Sequence, residues 1–346
     1  MADFTESASF RLLRDIKKDT SVELVKDADS VLVCPDMGGR TFASVCGIAP
    51  HRMDMECIKN PNQPFNNFGG GTIWPAPEGG RFGFNYDGDT WRVQPAINNE
   101  PFTVVSQSSD SVILEKRVNL SNRAGTVLDT VMRREVSLVD HLPSVLQAAP
   151  VKGWLSYKTH DRFEALNRVS TEEALLAAWT LEQFDTSNHT EAFCIVENPH
   201  DAINFDFYAH PGERISYYEH GFCYRTDGQG AGQIGIKQSA SASFVGFRDV
   251  SRGIVCIREN RSPEGGIFFN IADNAQPDGP YSAADNYSIF NSDPDMQAFE
   301  LETVGSALLA DGLLKGSELV SITSFAVYQN PGDAVRLVDQ LLGGRS

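Results

Sequence analysis

Apolar residues recur at every second position through most of this chain, in short runs closed by Asp, Asn, Gly and Ser clusters, the pattern of antiparallel hairpins. Ser21–Val25, Ser30–Cys34, Val104–Ser106 and Ser111–Lys116 open the series. In Gly125–Val139 the alternation is longest: Thr126, Leu128, Thr130, Met132, Arg134 and Val136 share one face, and Val127, Asp129, Val131, Arg133 and Glu135 the other. Ala174–Leu181, Glu213–Tyr218, Gly232–Ile236, Ser243–Arg248, Gly253–Arg258, Gly266–Phe269 and Val320–Tyr328 continue it. Helical spacing is confined to the ends. Phe10, Leu12, Leu13 and Ile16 fit one helix face, and Pro331–Leu342 opens with a first-turn proline and repeats Val335, Val338, Leu341 and Leu342. No repeat of fixed period and no Pro/Ser-rich linker interrupts the chain. The pattern predicts an all-β, mainly antiparallel sandwich with short terminal helices, built as one domain over residues 1–346.

Within that pattern, Ala298–Thr303 reads as a strand with Phe299, Leu301 and Thr303 on one face and Glu300 and Glu302 on the other. The two carboxylates stand roughly 7 Å apart along one surface. On a solvated edge they would be an ordinary outer face; in a cleft they would raise each other's pKa and offer a general acid or base beside a ligand for a substrate hydroxyl.

Phe68–Phe82 is the most unusual local sequence. Its three consecutive glycines lack the Gly-Lys-Ser/Thr of a phosphate loop, and Pro75 and Pro77 forbid the helix that such a loop needs. What remains is a sharply bent loop presenting Trp74, Glu78 and Arg81 together. Indole with nearby carboxylate and guanidinium groups suits a sugar, whose C–H face stacks while its hydroxyls take charge-assisted hydrogen bonds. The alternative is a Trp74 packed into a sandwich corner with Glu78 and Arg81 paired.

The seven histidines, His51, His141, His160, His189, His200, His210 and His220, form no His-x-His or His-Glu-x-x-His pattern and no close pair with cysteine, so no metal site is predicted. No Gly-x-Ser-x-Gly elbow is present. The six cysteines are scattered without a Cys-x-x-Cys pair, mostly inside apolar runs, and read as reduced core residues.

A net charge of −17 opposes nucleic acid and anionic membrane surfaces. No apolar run is long enough to span a bilayer, and the N-terminus has neither a basic nor an apolar leader region, which points to the cytoplasm. A neutral or cationic small molecule is the expected partner, with no cofactor implied. Oligomeric state is not set by these features.

Five segments in order give the chain a resemblance to the galactose mutarotase-like superfamily of β-supersandwich proteins, and within it to an uncharacterised bacterial branch, a domain of unknown function. They are Val31–Ser44 with its Gly-Gly-Arg turn, Asn67–Gly80 containing Trp-Pro-Ala-Pro-Glu, Trp91–Phe102, Leu176–Phe184, and Phe299–Thr303 followed by Leu314–Glu318. Aldose 1-epimerases of that superfamily open the sugar ring with a glutamate base and a histidine acid. The resemblance places Glu302 as base and implies a carbohydrate partner, with Glu78, Glu300 and Arg81 as hydroxyl ligands and Trp74 and Trp179 as stacking walls. Trp179 stands where those enzymes carry their histidine, so His160, His189 and His210 are the candidates for the acid, with an arginine as a further stabiliser. The resemblance therefore admits an epimerase-like isomerase, a non-catalytic carbohydrate-binding or sensing protein, and a polysaccharide-lyase-like enzyme.

Overall fold

Two large antiparallel sheets and a two-stranded ribbon, Tyr86–Asp87 with Thr90–Trp91, are formed by the residues that the computed structural model describes, 6–61, 63–205, 210–262, 267–268 and 285–343. The nine-stranded sheet carries the site, and its strands are numbered here in chain order: β1 Val22–Lys26, β2 Asp29–Cys34, β3 Arg40–Ser44, β4 Gly70–Ala76, β5 Ala177–Asp185, β6 Ile203–Asn204, β7 Gly232–Lys237, β8 Asp285–Asn291 and β9 Ala298–Val304. Their spatial order is β1-β2-β3-β4-β5-β9-β8-β7-β6. Strands distant in sequence therefore meet at the centre. An eleven-stranded sheet packs against it, built around the long strands Val127–Val139, Val151–Ser170 and Leu313–Tyr328.

The alternation read from sequence is the alternation that buries. In Val127–Val139, Leu128, Thr130, Met132, Arg134 and Val136 are buried while the intervening residues are half-buried or exposed. Phe184 and Phe299 of the first sheet meet Phe247 of the second at ring-centroid distances of 4.7 and 5.2 Å, and Phe184 lies 6.2 Å from Phe325, so one aromatic core joins the sheets.

Both terminal helices form, over Ala8–Lys17 and Pro331–Leu342. In the second, Asn330 Oδ1 caps the Gly332 amide at 3.0 Å, and the buried stripe is Ala334, Leu337, Val338 and Leu342; it contains the predicted Val338 and Leu342, while the predicted Val335 and Leu341 are half-buried beside it. The glycine-rich segment is a strand over Gly70–Ala76, and the predicted bend follows only after it, at residues 78–82. Gly70 has a φ of +70°, and a Cβ there would come within 2.7 Å of the Phe42 ring and the Thr41 carbonyl, so glycine is what allows β4 to enter the sheet this close to β3. The predicted strand Gly266–Phe269 falls largely outside the described residues; Ile267 and Phe268 are not in a strand. The cysteines are free, all buried except the half-buried Cys57.

Candidate active site

Period-two alternation on the central strands lifts one set of side chains to the outward face of the nine-stranded sheet, where they line a pocket of about 240 Å³. Register aligns them in rows: Trp74 opposes Trp179, Thr72 opposes Leu181, and Gly70 opposes Gln183 across β4 and β5. Leu181 then opposes Glu302, and Gln183 opposes Glu300, across β5 and β9. Phe290 of β8 and Gln233 of β7 complete the floor.

Glu300 and Glu302 are both buried in this floor, two residues apart on the same face of β9. Glu302 Oε2 accepts from the Trp179 indole N–H at 3.2 Å and from the Gln233 amide at 3.0 Å. Glu300 Oε1 accepts from the Gln183 amide at 2.7 Å. These donors are all neutral. Burial raises the pKa of Glu300, and burial together with the neighbouring Glu300 and Glu78 carboxylates raises Glu302 well above the usual glutamate range.

One wall is aromatic. Trp74 meets Trp179 edge-on at 5.6 Å, Phe65 meets Trp74 at 5.9 Å, and Phe65 meets Trp91 at 5.2 Å. Glu78 stands at the rim, accepting from the Trp91 indole N–H at 3.0 Å and from Asn85 Nδ2 at 3.3 Å. Opposite, Arg40 is held by the Gly69 carbonyl and Asn98 Oδ1, each at 2.7 Å, and burial pulls its pKa down to about 10. The Trp74 indole N–H, the Thr72 hydroxyl and Arg40 Nε are buried at this pocket without a hydrogen-bond partner among the described residues. Buried donors without partners are costly, and a polar ligand would satisfy them.

Of the residues expected from sequence, Trp74, Glu78, Trp179, Glu300 and Glu302 come together here. Arg81 does not. Its side chain is exposed, reaching the Glu172 carbonyl at 3.5 Å and lying over the Phe82 ring, because the chain turns away after Glu78. The three histidines are also elsewhere. His160 sits on the outward face of the other sheet, 2.5 Å from Glu318; His189 is exposed in the turn before Thr190–Ile195; His210 is exposed and packs on Phe205. Among the described residues no histidine lines the pocket.

Sequence reading missed Arg40, Trp91, Gln183 and Gln233. Three of them lie in segments that carried the resemblance, and Gln183 follows Trp179 and Leu181 at period two, a signal that extending the predicted strand past Leu181 would have caught. Among the described residues no group of three or more His, Cys, Asp or Glu side chains is gathered as for a metal ion.

A family model spans residues 4–314. The chain belongs to DUF6786, a family of unknown function. No curated protein matches its sequence. Solved structures similar to this DUF6786 member include an Escherichia coli K12 protein provisionally described as an aldose 1-epimerase, at 14% identity over 89% of this chain and 98% of that one with a TM-score of 0.49. A galactose mutarotase-like protein from Lactobacillus casei matches at 9% identity over 89% and 99% of the two chains, TM-score 0.49. A galactose mutarotase related enzyme from Lactobacillus acidophilus matches at 11% identity over 90% and 98%, TM-score 0.48.

Proposed function

We propose that this protein binds a neutral sugar in the sheet pocket and catalyses exchange at its anomeric carbon, as an aldose 1-epimerase-like isomerase with Glu302 in the proton-transfer machinery. The observation that carries this reading is a buried carboxyl pair, held only by neutral donors, facing an indole wall and unpartnered polar atoms. A pyranose presents an apolar C–H face to Trp74 and Trp91 and hydroxyls to the Trp74 N–H and the Thr72 hydroxyl. Three carboxyl groups line the pocket against one arginine, which disfavours a phosphorylated or acidic sugar.

Anomeric exchange needs a proton taken from O1 as the C1–O5 bond opens, a proton given to O5, and closure from the opposite face of C1. General acid–base groups contribute about 10²–10⁴-fold to such a step. Saturation-transfer NMR against a panel of monosaccharides, with anomeric exchange rates read in the same samples, tests the proposal. For the bound sugar, Glu302→Gln is expected to lower exchange about 10²–10⁴-fold while binding persists.

The second reading is a non-catalytic sugar-binding protein, favoured by the absence of histidine from the pocket lining among the described residues. In that case the wild-type protein binds sugar without accelerating exchange.

A further inference from the structure

The pocket supplies carboxyl groups where a ring-opening site needs both a proton acceptor and a proton donor. Two ionised carboxylates cannot hydrogen-bond each other, because neither has a proton to donate. Glu300 and Glu302 stand two residues apart on one buried strand face in the same pocket and accept from the neutral Gln183, Trp179 and Gln233 groups, a setting that favours one proton held by the pair over two adjacent charges. We infer that Glu300 is a second catalytic residue, and that Glu300 and Glu302 work as one acid–base unit sharing a single proton. This inference rests on the proposed reading that the pocket receives a sugar at its anomeric carbon.

The step balances within the pair. The ionised carboxyl takes the proton from O1, the O1–C1 bond becomes a carbonyl, the C1–O5 electron pair moves to O5, and the protonated carboxyl gives its proton to O5. The pair again holds one proton, with the two roles exchanged, and is set for the reverse transfer once C1 has rotated to present its other face. O1 and O5 are both bonded to C1, so donor and acceptor must lie side by side, as two carboxyls on one strand face do.

The surroundings keep the proton in the pair. Arg40 from β3 is engaged by Gly69 and Asn98, and Arg52 donates to Asn67, Gln183 and Asp54; among the described residues no cation forms an ion pair with either glutamate, and the pull of these two arginines on Glu300 is outweighed by burial. Glu78 adds negative charge from the rim. Independently of the acidic pair, three buried polar atoms without a partner among the described residues mark the pocket as a ligand site, the Trp74 indole N–H, the Thr72 hydroxyl and Arg40 Nε, on side chains 5%, 4% and 3% exposed.

The test uses the full chain with the sugar that exchanges fastest. Glu300→Gln is expected to lower anomeric exchange about 100-fold or more with sugar affinity kept within about threefold, and Glu300→Asp to recover part of the loss. The wild-type rate is expected to trace a bell in pH, falling when the pair is fully protonated and again when it is fully ionised. Circular dichroism of each variant establishes that it is folded. Exchange retained in Glu300→Gln but lost in Glu302→Gln overturns this inference alone, since the donor then lies elsewhere. A wild-type protein that binds sugar without exchanging it overturns the isomerase reading and this inference with it.

Discussion

Two buried acidic sites lie back to back on this sheet, and they differ in what surrounds them. On the inward face of β5, Glu182 is fully buried, paired with Arg258 and bonded to His51 at 3.1 Å, Tyr157 at 2.8 Å and Thr323 at 3.1 Å. Burial alone would push Glu182 up, but Arg258, His51 and Tyr157 together hold it well below the usual range. On the outward face, Glu300 and Glu302 are equally buried but receive only amide and indole donors, and both are pushed up. Burial is common to the two sites. The presence of a paired cation decides whether a carboxyl becomes a fixed structural charge or a group that holds its proton above the ordinary glutamate range.

Removing the cation from the inward site is the harshest way to break this contrast. Arg258→Met leaves Glu182 buried without its main counter-charge, and urea unfolding is expected to show a loss of about 3–5 kcal/mol. The pH dependence of stability sharpens the comparison next. Glu302 has a folded value raised above the ordinary 4.5, so above that pH the folded protein keeps a proton that the unfolded chain has released. Wild-type stability therefore falls as pH rises through this window, by up to about 1.4 kcal/mol per unit for one proton. Glu182 has the opposite sign. Its contribution is complete above the ordinary range and is lost only as pH falls toward its depressed folded value. Urea midpoints measured from pH 5 to 8 are expected to lose the first slope in the Glu300→Gln, Glu302→Gln double variant and to keep the Glu182 contribution.

Smaller effects test the wall and the outlying histidines. Trp91 is 38% exposed, so Trp91→Ala is expected to leave the fold intact and weaken sugar binding about tenfold, or about 1.4 kcal/mol, by titration calorimetry. His160→Ala removes a partly exposed contact with Glu318 and is expected to cost about 0–1 kcal/mol, with sugar exchange unchanged within about twofold. A larger drop in exchange would return the acid role to a histidine outside the pocket.

Much of this arrangement is legible in the alternation of single strands. The face shared by Glu300 and Glu302 follows from period two in Phe299–Thr303, and the buried face of Val127–Val139 follows in the same way. The glycine-rich strand is not legible, because glycine disfavours strands in isolation and β4 gains its ladder from β5, about a hundred residues on, which local propensity does not register. Arg81 misleads for a related reason: nearness in sequence to Trp74 is undone by the turn at Gly79 and Gly80. The inward site is hidden by distance along the chain, since His51 and Glu182 are 131 residues apart.

The register between β5 and β9 is fastened from behind. Thr180 and Thr303 hydroxyls meet at 2.7 Å, and Arg258 donates to both. A slip of one residue would turn Glu302 into the core and Thr303 outward, so this inward fastening fixes which side chains the outward face displays. Substitutions on the outward face leave these threonine and arginine contacts in place. Descendants of this chain are thereby free to exchange the residues that choose a ligand while inheriting the frame that presents them, a division of labour between the two sides of one strand pair that favours diversification of specificity over change of fold.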